Sequence, residues 1–262
     1  MSEAAFFDLD KTIIAKSSTL AFSGRLYKAG MLGRRTLLRA AMGQLMYLLF
    51  GADEESLDRA REAMLSLTKG WDRAEVERIV EEALEEVVAP LVYAEALFLI
   101  DEHVREGRRV YIVSASPEEV VRPLARYIGV PDVIATRARV DEHGKYTGEV
   151  DLYAYGPAKA EAVRAVAAAE GISLADSYAY SDSVTDLPML ELVGHPHAIN
   201  PERELRDIAE KRSWPILEFR RRVSLARRLT RPVPLISGAT VTAVIGAVIA
   251  WAIIRKKRRD QA

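Results

Sequence analysis

The chain has no cysteine among its 262 residues, which excludes a disulfide framework and any thiolate chemistry and fits a reducing compartment. Histidine is sparse. His103, His143, His195 and His197 are scattered; His195-Pro-His197 has the spacing of a metal pair, but no third ligand accompanies it, so a structural role at a strand edge is expected. The first residues, Met-Ser-Glu-Ala-Ala-Phe-Phe-Asp, carry an early acid and no long apolar run, so they are not expected to act as a signal peptide. Internal repeats and low-complexity tracts are also missing. Charge of one sign is missing only on average: the net charge of −1 hides a division. Residues 211–231 carry eight basic side chains against Glu218, residues 255–260 carry five against Asp260, and residues 1–210 are left with 24 basic and 36 acidic residues, a net of −12.

What is present suffices for a full core. At 49% hydrophobic, a chain of this length suits one large domain or a domain with an insertion. Residues 4–9 form a short apolar run ending in carboxylates, as a buried strand would when it delivers a loop to a site. Residues 18–106 contain no convincing strand. Helical periodicity runs through Leu32–Phe50, Ser56–Leu67 and Ala74–Val88, and a further helix is expected from Pro90 to Gly107. A second buried strand covers Arg109–Ser114, and Pro117 opens a helix. A hairpin is expected over Val140–Val150 with His143-Gly144-Lys145 at its tip. An Ala-rich helix fills Pro157–Glu170 and stops at Gly171; strands follow at Ser177–Ser181 and Pro196–Ile199. Strand and helix alternate after residue 107, which argues for an α/β fold: a Rossmann-like parallel sheet flanked by helices, with a helical cap inserted after the first strand. The expected organisation is a catalytic core over 1–17 and 107–210, a cap over 18–106, a basic juxtamembrane segment over 211–232, a transmembrane helix over 233–254 and a basic tail over 255–262.

The transmembrane expectation rests on Val233–Ile254, which carries no charge and at helical rise reaches roughly 33 Å, enough for a bilayer core. Residues 216–229 place Ile216, Phe219, Val223 and Ala226 on one helical face among arginines, the pattern of an amphipathic helix on an anionic membrane surface. Nucleic-acid binding is the competing account of a basic run, and the adjacent span disfavours it. The expected localisation is a single-pass membrane protein with a cytoplasmic catalytic domain. Ala239, Ala243 and Ala247 form a small-residue face through which spans could pair.

Four short motifs carry the chemistry: Asp8-Leu-Asp10-Lys-Thr12, Ser114 in Val-Ser-Ala-Ser, Lys159, and Asp182-Ser-Val-Thr-Asp186. Asp8 follows a buried strand, so its carboxylate projects where open α/β sheets place their ligands. A carboxylate there can attack phosphorus and split one hard displacement into two. Asp10, two residues on, is placed to protonate the leaving oxygen and later to deprotonate water. Thr12 adds a hydroxyl for phosphate oxygens. Ser114 ends a strand just before a helix N-terminus that favours anions, although alone it reads as a helix cap. Lys159 stands in the first turn of a helix, where a cation opposes the dipole. Asp8, Asp10, Asp182 and Asp186 at close range could not all stay ionised without a cation, and oxygen ligands suit Mg²⁺.

With these motifs in this order, the chain resembles the haloacid dehalogenase superfamily of phosphatases, and within it the branch that includes phosphoserine phosphatases, over roughly residues 4–210. The resemblance implies that Asp8 is the nucleophile and Asp10 the general acid/base, and that Thr12, Ser114 and Lys159 bind phosphate. It also implies that Asp8, the Asp10 backbone carbonyl and Asp182 hold Mg²⁺, with Asp186 supporting. Three places depart from the branch. Ser17 stands where a Glu usually holds the substrate amino group, Ser114-Ala115-Ser116 replaces Ser-Gly-Gly, and Thr185 replaces an Asn. The expected function is therefore a membrane-anchored, Mg²⁺-dependent phosphomonoesterase acting through an aspartyl-phosphate, with a lipid phosphate as the substrate that the anchor suggests. The alternatives are a phosphatase of phosphoserine or another small soluble phosphate, and a membrane scaffold with a decayed site.

Overall fold

A computed structural model of the protein describes residues 2–33 and 65–222. By its contacts the chain divides after Val223; the unit beyond, with the expected span 233–254 and its small-residue face, lies outside the described residues, as do the periodic stretch 34–50 and most of 56–67.

Seven strands form one sheet in the order β4-β3-β2-β1-β5-β6-β7. In chain order they are β1 (Ala4–Asp8), β2 (Arg109–Pro117), β3 (Asp132–Val140), β4 (Tyr146–Leu152), β5 (Tyr178–Ser181), β6 (His195–Ile199) and β7 (Ile216–Leu217). All pairings are parallel except β3 with β4. Among the described residues the α-helices are α1 (Ser18–Lys28), α2 (Arg73–Val87), α3 (Ala94–Arg105), α4 (Glu118–Ile128), α5 (Pro157–Glu170), α6 (Leu187–Leu190) and α7 (Arg203–Arg212).

β1 is the central strand, and every one of its residues is buried. Its side chains alternate between two cores, as a period of two requires. Ala5 and Phe7 enter one with Phe22, Val80, Ile100, Ile112 and Leu124; Ala4 and Phe6 enter the other with Tyr111, Val113, Val163, Met189 and Leu205. Burying an aromatic such as Phe6 or Phe7 stabilises by roughly 1.5–3 kcal/mol, so the strand that carries Asp8 is held from both faces. Helices α1, α2 and α3, which lie in the region between β1 and β2, contribute Phe22, Val80 and Ile100 to the Phe7 core.

Two helix predictions come close to the structure. α2 starts after Asp72, whose carboxylate accepts the Glu75 N–H, and buries Val76, Ile79, Val80, Ala83 and Leu84. α5 matches Pro157–Glu170, with Pro at its start and Gly171 in the left-handed conformation after its end. Elsewhere the structure differs. The helix expected from Pro90 begins at Ala94, because Leu91 closes a turn and Val92 and Tyr93 form bridges, held to the loop after β1: the Ala15 N–H donates to the Leu91 carbonyl and the Tyr93 N–H to that of Ile13. The hairpin is longer than expected, with β3 reaching back to Asp132.

The amphipathic helix expected over 216–229 is corrected as far as 222. Ile216–Leu217 pair with Ala198–Ile199 as the edge strand β7. Phe219 is buried, its N–H donates to Asn200 Oδ1 at 2.9 Å, and Asn200 Nδ2 donates to its carbonyl at 3.1 Å. Arg221 then donates its N–H to Glu95 Oε1, and its carbonyl accepts the Ala94 N–H. Apolar residues three apart suit this strap as well as they suit a helix. The single-pass membrane localisation is corrected too: among the described residues no helix is long and apolar enough to cross a membrane.

Candidate active site

Register places the motif residues at the C-terminal ends of the central strands. Asp8, the last residue of β1, pairs with Val113, one residue before Ser114, and Asp182 follows β5 directly. The fourth group comes from α5. Gly156, at φ +53 and ψ −131, makes the turn into it, a conformation that a side chain would strain. Lys159 then points back at the strand ends.

Lys159 Nζ donates to Asp8 Oδ1 at 2.6 Å and to Asp186 Oδ2 at 2.7 Å, and only 2% of the residue is exposed. Ser181 Oγ donates to the same Asp186 oxygen at 2.6 Å. Burial raises the Asp8 pKa well above the usual carboxylate range; Lys159 opposes this, while Asp186, Asp182 and Asp10 add to it. Burial works against the Lys159 ammonium, but Asp8 and Asp186 outweigh it and its pKa is raised. Asp182 is pushed up to about 7, first by burial and then by Asp186 and Glu202, against Lys11. Lys11 Nζ lies 3.7 Å from Asp182 Oδ2 but is largely exposed, so that pair is weak. Lys11 has φ +61, left-handed backbone of the strained kind that gathers at functional loops.

Asp10 sits on that loop with both carboxylate oxygens engaged. Oδ1 accepts the Ser18 N–H at 2.8 Å, and Oδ2 accepts the Ser116 hydroxyl at 3.3 Å. Its pKa is raised by burial, and the Ser18 and Ser116 bonds only partly offset this, which suits an acid that must hold a proton before giving it up. Ser114 is buried and its Oγ accepts the Ser116 N–H at 3.1 Å. Thr12 is fully buried, and its Oγ1 has no hydrogen-bond partner.

The structure thus brings Asp8, Lys159 and Asp186 into direct contact and sets Asp182 and Asp10 within electrostatic reach of Asp8. Sequence reasoning missed Ser18, Ser116, Ser181 and Glu202. Glu202 Oε1 accepts from Val184 N at 2.8 Å and Ser183 Oγ at 3.0 Å, fixing the loop between Asp182 and Asp186. Ser116 and Ser181 lie beside motif residues and could have been suspected; nothing local marks Glu202. His195 and His197 stack on Tyr178 and Tyr180 within the sheet.

The residues fit a hard divalent cation. Among the described residues no three His, Cys, Asp or Glu side chains are grouped to hold a metal by themselves; the set that the family resemblance implies adds the Asp10 backbone carbonyl to the Asp8 and Asp182 carboxylates, all hard oxygen donors. Asp8 and Asp182 are both buried, and both have raised pKa values. A bound cation would favour their ionised forms.

Comparison with known proteins agrees with this geometry. Residues 5–191 match the model of the haloacid dehalogenase-like hydrolases. A probable phosphatase of Mycobacterium tuberculosis is 50% identical over 97% of this chain and 89% of its own length. A phosphoserine phosphatase of the same organism is 33% identical over 98% of this chain and 82% of its own length. The solved structure of a phospho-aspartyl intermediate analogue of phosphoserine phosphatase superposes with a TM-score of 0.58 at 22% identity, covering 87% of this chain and 97% of that one; at that identity the likeness shows the fold. The chain belongs to the haloacid dehalogenase-like hydrolases. It is an enzyme, with relatives named phosphatase and phosphoserine phosphatase.

Proposed function

We propose that the protein is a Mg²⁺-dependent phosphomonoester hydrolase that works through an aspartyl-phosphate and takes a small phosphate ester. The contact between Asp8 and Lys159, residues 151 apart in the chain and 2.6 Å apart in space, carries this reading. It pairs a buried carboxylate nucleophile with a fixed cation for the phosphoryl oxygens. Asp8 attacks phosphorus, the bond from phosphorus to the ester oxygen breaks, and Asp10 delivers its proton to that oxygen. Water then attacks the aspartyl-phosphate at phosphorus, Asp10 takes a proton from the water, and the bond from phosphorus to Asp8 breaks to release orthophosphate. Mg²⁺, held by Asp8, Asp182 and the Asp10 carbonyl, would neutralise charge on the phosphoryl oxygens. Asp186 holds Lys159 in place, and Thr12 and Ser114 offer hydroxyls to the phosphate.

The lipid-phosphate reading rested on the anchor and is set aside with it. A small substrate is supported by the relative named phosphoserine phosphatase, although Ser17 gives no acid for an amino group. The test is turnover of a panel of phosphate esters by the full chain with Mg²⁺. Asp8→Asn should fall to background on every ester. Asp10→Asn should lose roughly 10²–10⁴ in rate, and less on esters with good leaving groups. Near-normal turnover by Asp8→Asn would overturn the covalent mechanism.

A further inference from the structure

Ser116 stands at the centre of a cluster of hydroxyls that the reaction as described does not use. Its Oγ donates to Asp10 Oδ2 at 3.3 Å and lies 2.8 Å from Ser18 Oγ and 3.3 Å from Thr19 Oγ1. Ser116 and Ser18 are buried. The cluster joins two elements far apart in sequence: Ser18 and Thr19 open α1, and Ser116 lies near the end of β2. The backbone of Ser116 is fixed as well, because its N–H donates to Ser114 Oγ.

Resting on the phosphatase reading above, we propose that Ser116 is a positioning residue for Asp10: with Ser18 it fixes the plane and direction of the carboxylate that serves the leaving oxygen. A carboxylate on a loop can turn about its terminal bond, which has a broad torsional profile. Here a backbone N–H from α1 holds one oxygen and a hydroxyl from β2 holds the other, so turning breaks both bonds. The choice of hydroxyls also matters. Asp10 must act first as an acid and then as a base, and a hydroxyl can donate to the ionised form or accept from the protonated one, whereas a lysine or arginine could only donate. Ser18 Oγ and Thr19 Oγ1 also lie against the Ser116 oxygen, and either atom of each pair can donate, so Ser116 keeps a hydroxyl partner in both protonation states of Asp10. On this account the residue touches neither substrate nor phosphorus; it acts through Asp10.

The experiment compares Ser116→Ala with the full-length wild type on an aryl phosphate with a good leaving group and an alkyl phosphate with a poor one. We expect about a tenfold fall in kcat on the alkyl ester, less than about twofold on the aryl ester and little change in KM, since misplacing a catalytic group costs rate rather than affinity. Ser116→Thr, which restores a hydroxyl, should recover most of the alkyl rate. Ser116→Gly serves if the alanine variant fails to fold. An equal fall on both esters, or a raised KM with kcat unchanged, would make Ser116 a phosphate contact and overturn the proposal, as would an unchanged alkyl rate. The two readings fail separately. If the wild type cleaves no phosphate ester, the function is wrong. If it cleaves them and Asp10→Asn shows the leaving-group dependence while Ser116→Ala does not, only the positioning role is wrong.

Discussion

Lys159 Nζ lies 2.6 Å from Asp8 Oδ1, and both residues are almost fully buried. Each is the main compensation for the other, because a buried charge without its partner is strongly destabilising. The pair is weak evidence of a stability gain and strong evidence of a site.

Lys159→Met should therefore cost about 3 kcal/mol of stability and bring turnover near background. Adding Asp186→Asn should recover part of the stability, because one uncompensated carboxylate is removed, without recovering turnover. Urea denaturation and aryl-phosphate hydrolysis measure the two effects. Activity within tenfold of wild type in Lys159→Met would refute the assignment.

Activity should require Mg²⁺ and vanish in excess chelator. Asp182→Asn should raise the half-saturating Mg²⁺ concentration more than Asp186→Asn, because Asp182 is the proposed ligand and Asp186 is engaged by Lys159 and Ser181. Titration of activity with MgCl₂ tests the order. Equal shifts would place both aspartates on the metal, and full activity in chelator would end the metal assignment.

His103 supplies a pH dependence away from the site. Burial, helped by Arg108, pushes its pKa down to about 4 from 6.5, while its Nε2 lies 2.8 Å from the Tyr180 hydroxyl. The folded state keeps the ring neutral, so below pH 6.5 the unfolded state binds the extra proton. The contribution of His103 is complete above pH 6.5 and is lost as pH falls toward 4, at no more than about 1.4 kcal/mol per pH unit. Chemical denaturation at pH 7.5 and 5 should show the stability gap between wild type and His103→Gln narrowing at the lower pH. A constant gap would mean that His103 titrates normally.

The sequence was most readable where a local rule and the tertiary contacts agree. The Pro157 and Gly171 boundaries of α5 needed only backbone chemistry, and β1 was visible as an apolar run because it is buried on both faces. β3 was hidden because Ala135-Thr136-Arg137-Ala138-Arg139 mixes small and charged residues, and only its neighbour β2 shows that Ala135 is buried. α1 contains Gly24 and two serines, so its local preference is poor; packing of Phe22 decides it. In the site, the motifs already named Asp8, Lys159 and Asp186, which the structure brings together. Those that hold them were less so, since Ser18, Ser116 and Glu202 act through contacts between distant segments.

The central position of β1 has a consequence for the order of assembly. The chain is made from its N-terminus at about 5–20 residues per second, so Asp8 precedes Lys159, 151 residues later, by roughly 8–30 s. One neighbour of β1, β2, arrives midway, and the other, β5, only after α5. Until then Asp8 has neither Lys159 beside it nor a closed sheet around it. The surroundings of Asp8 are thus completed long after the residue itself has been made.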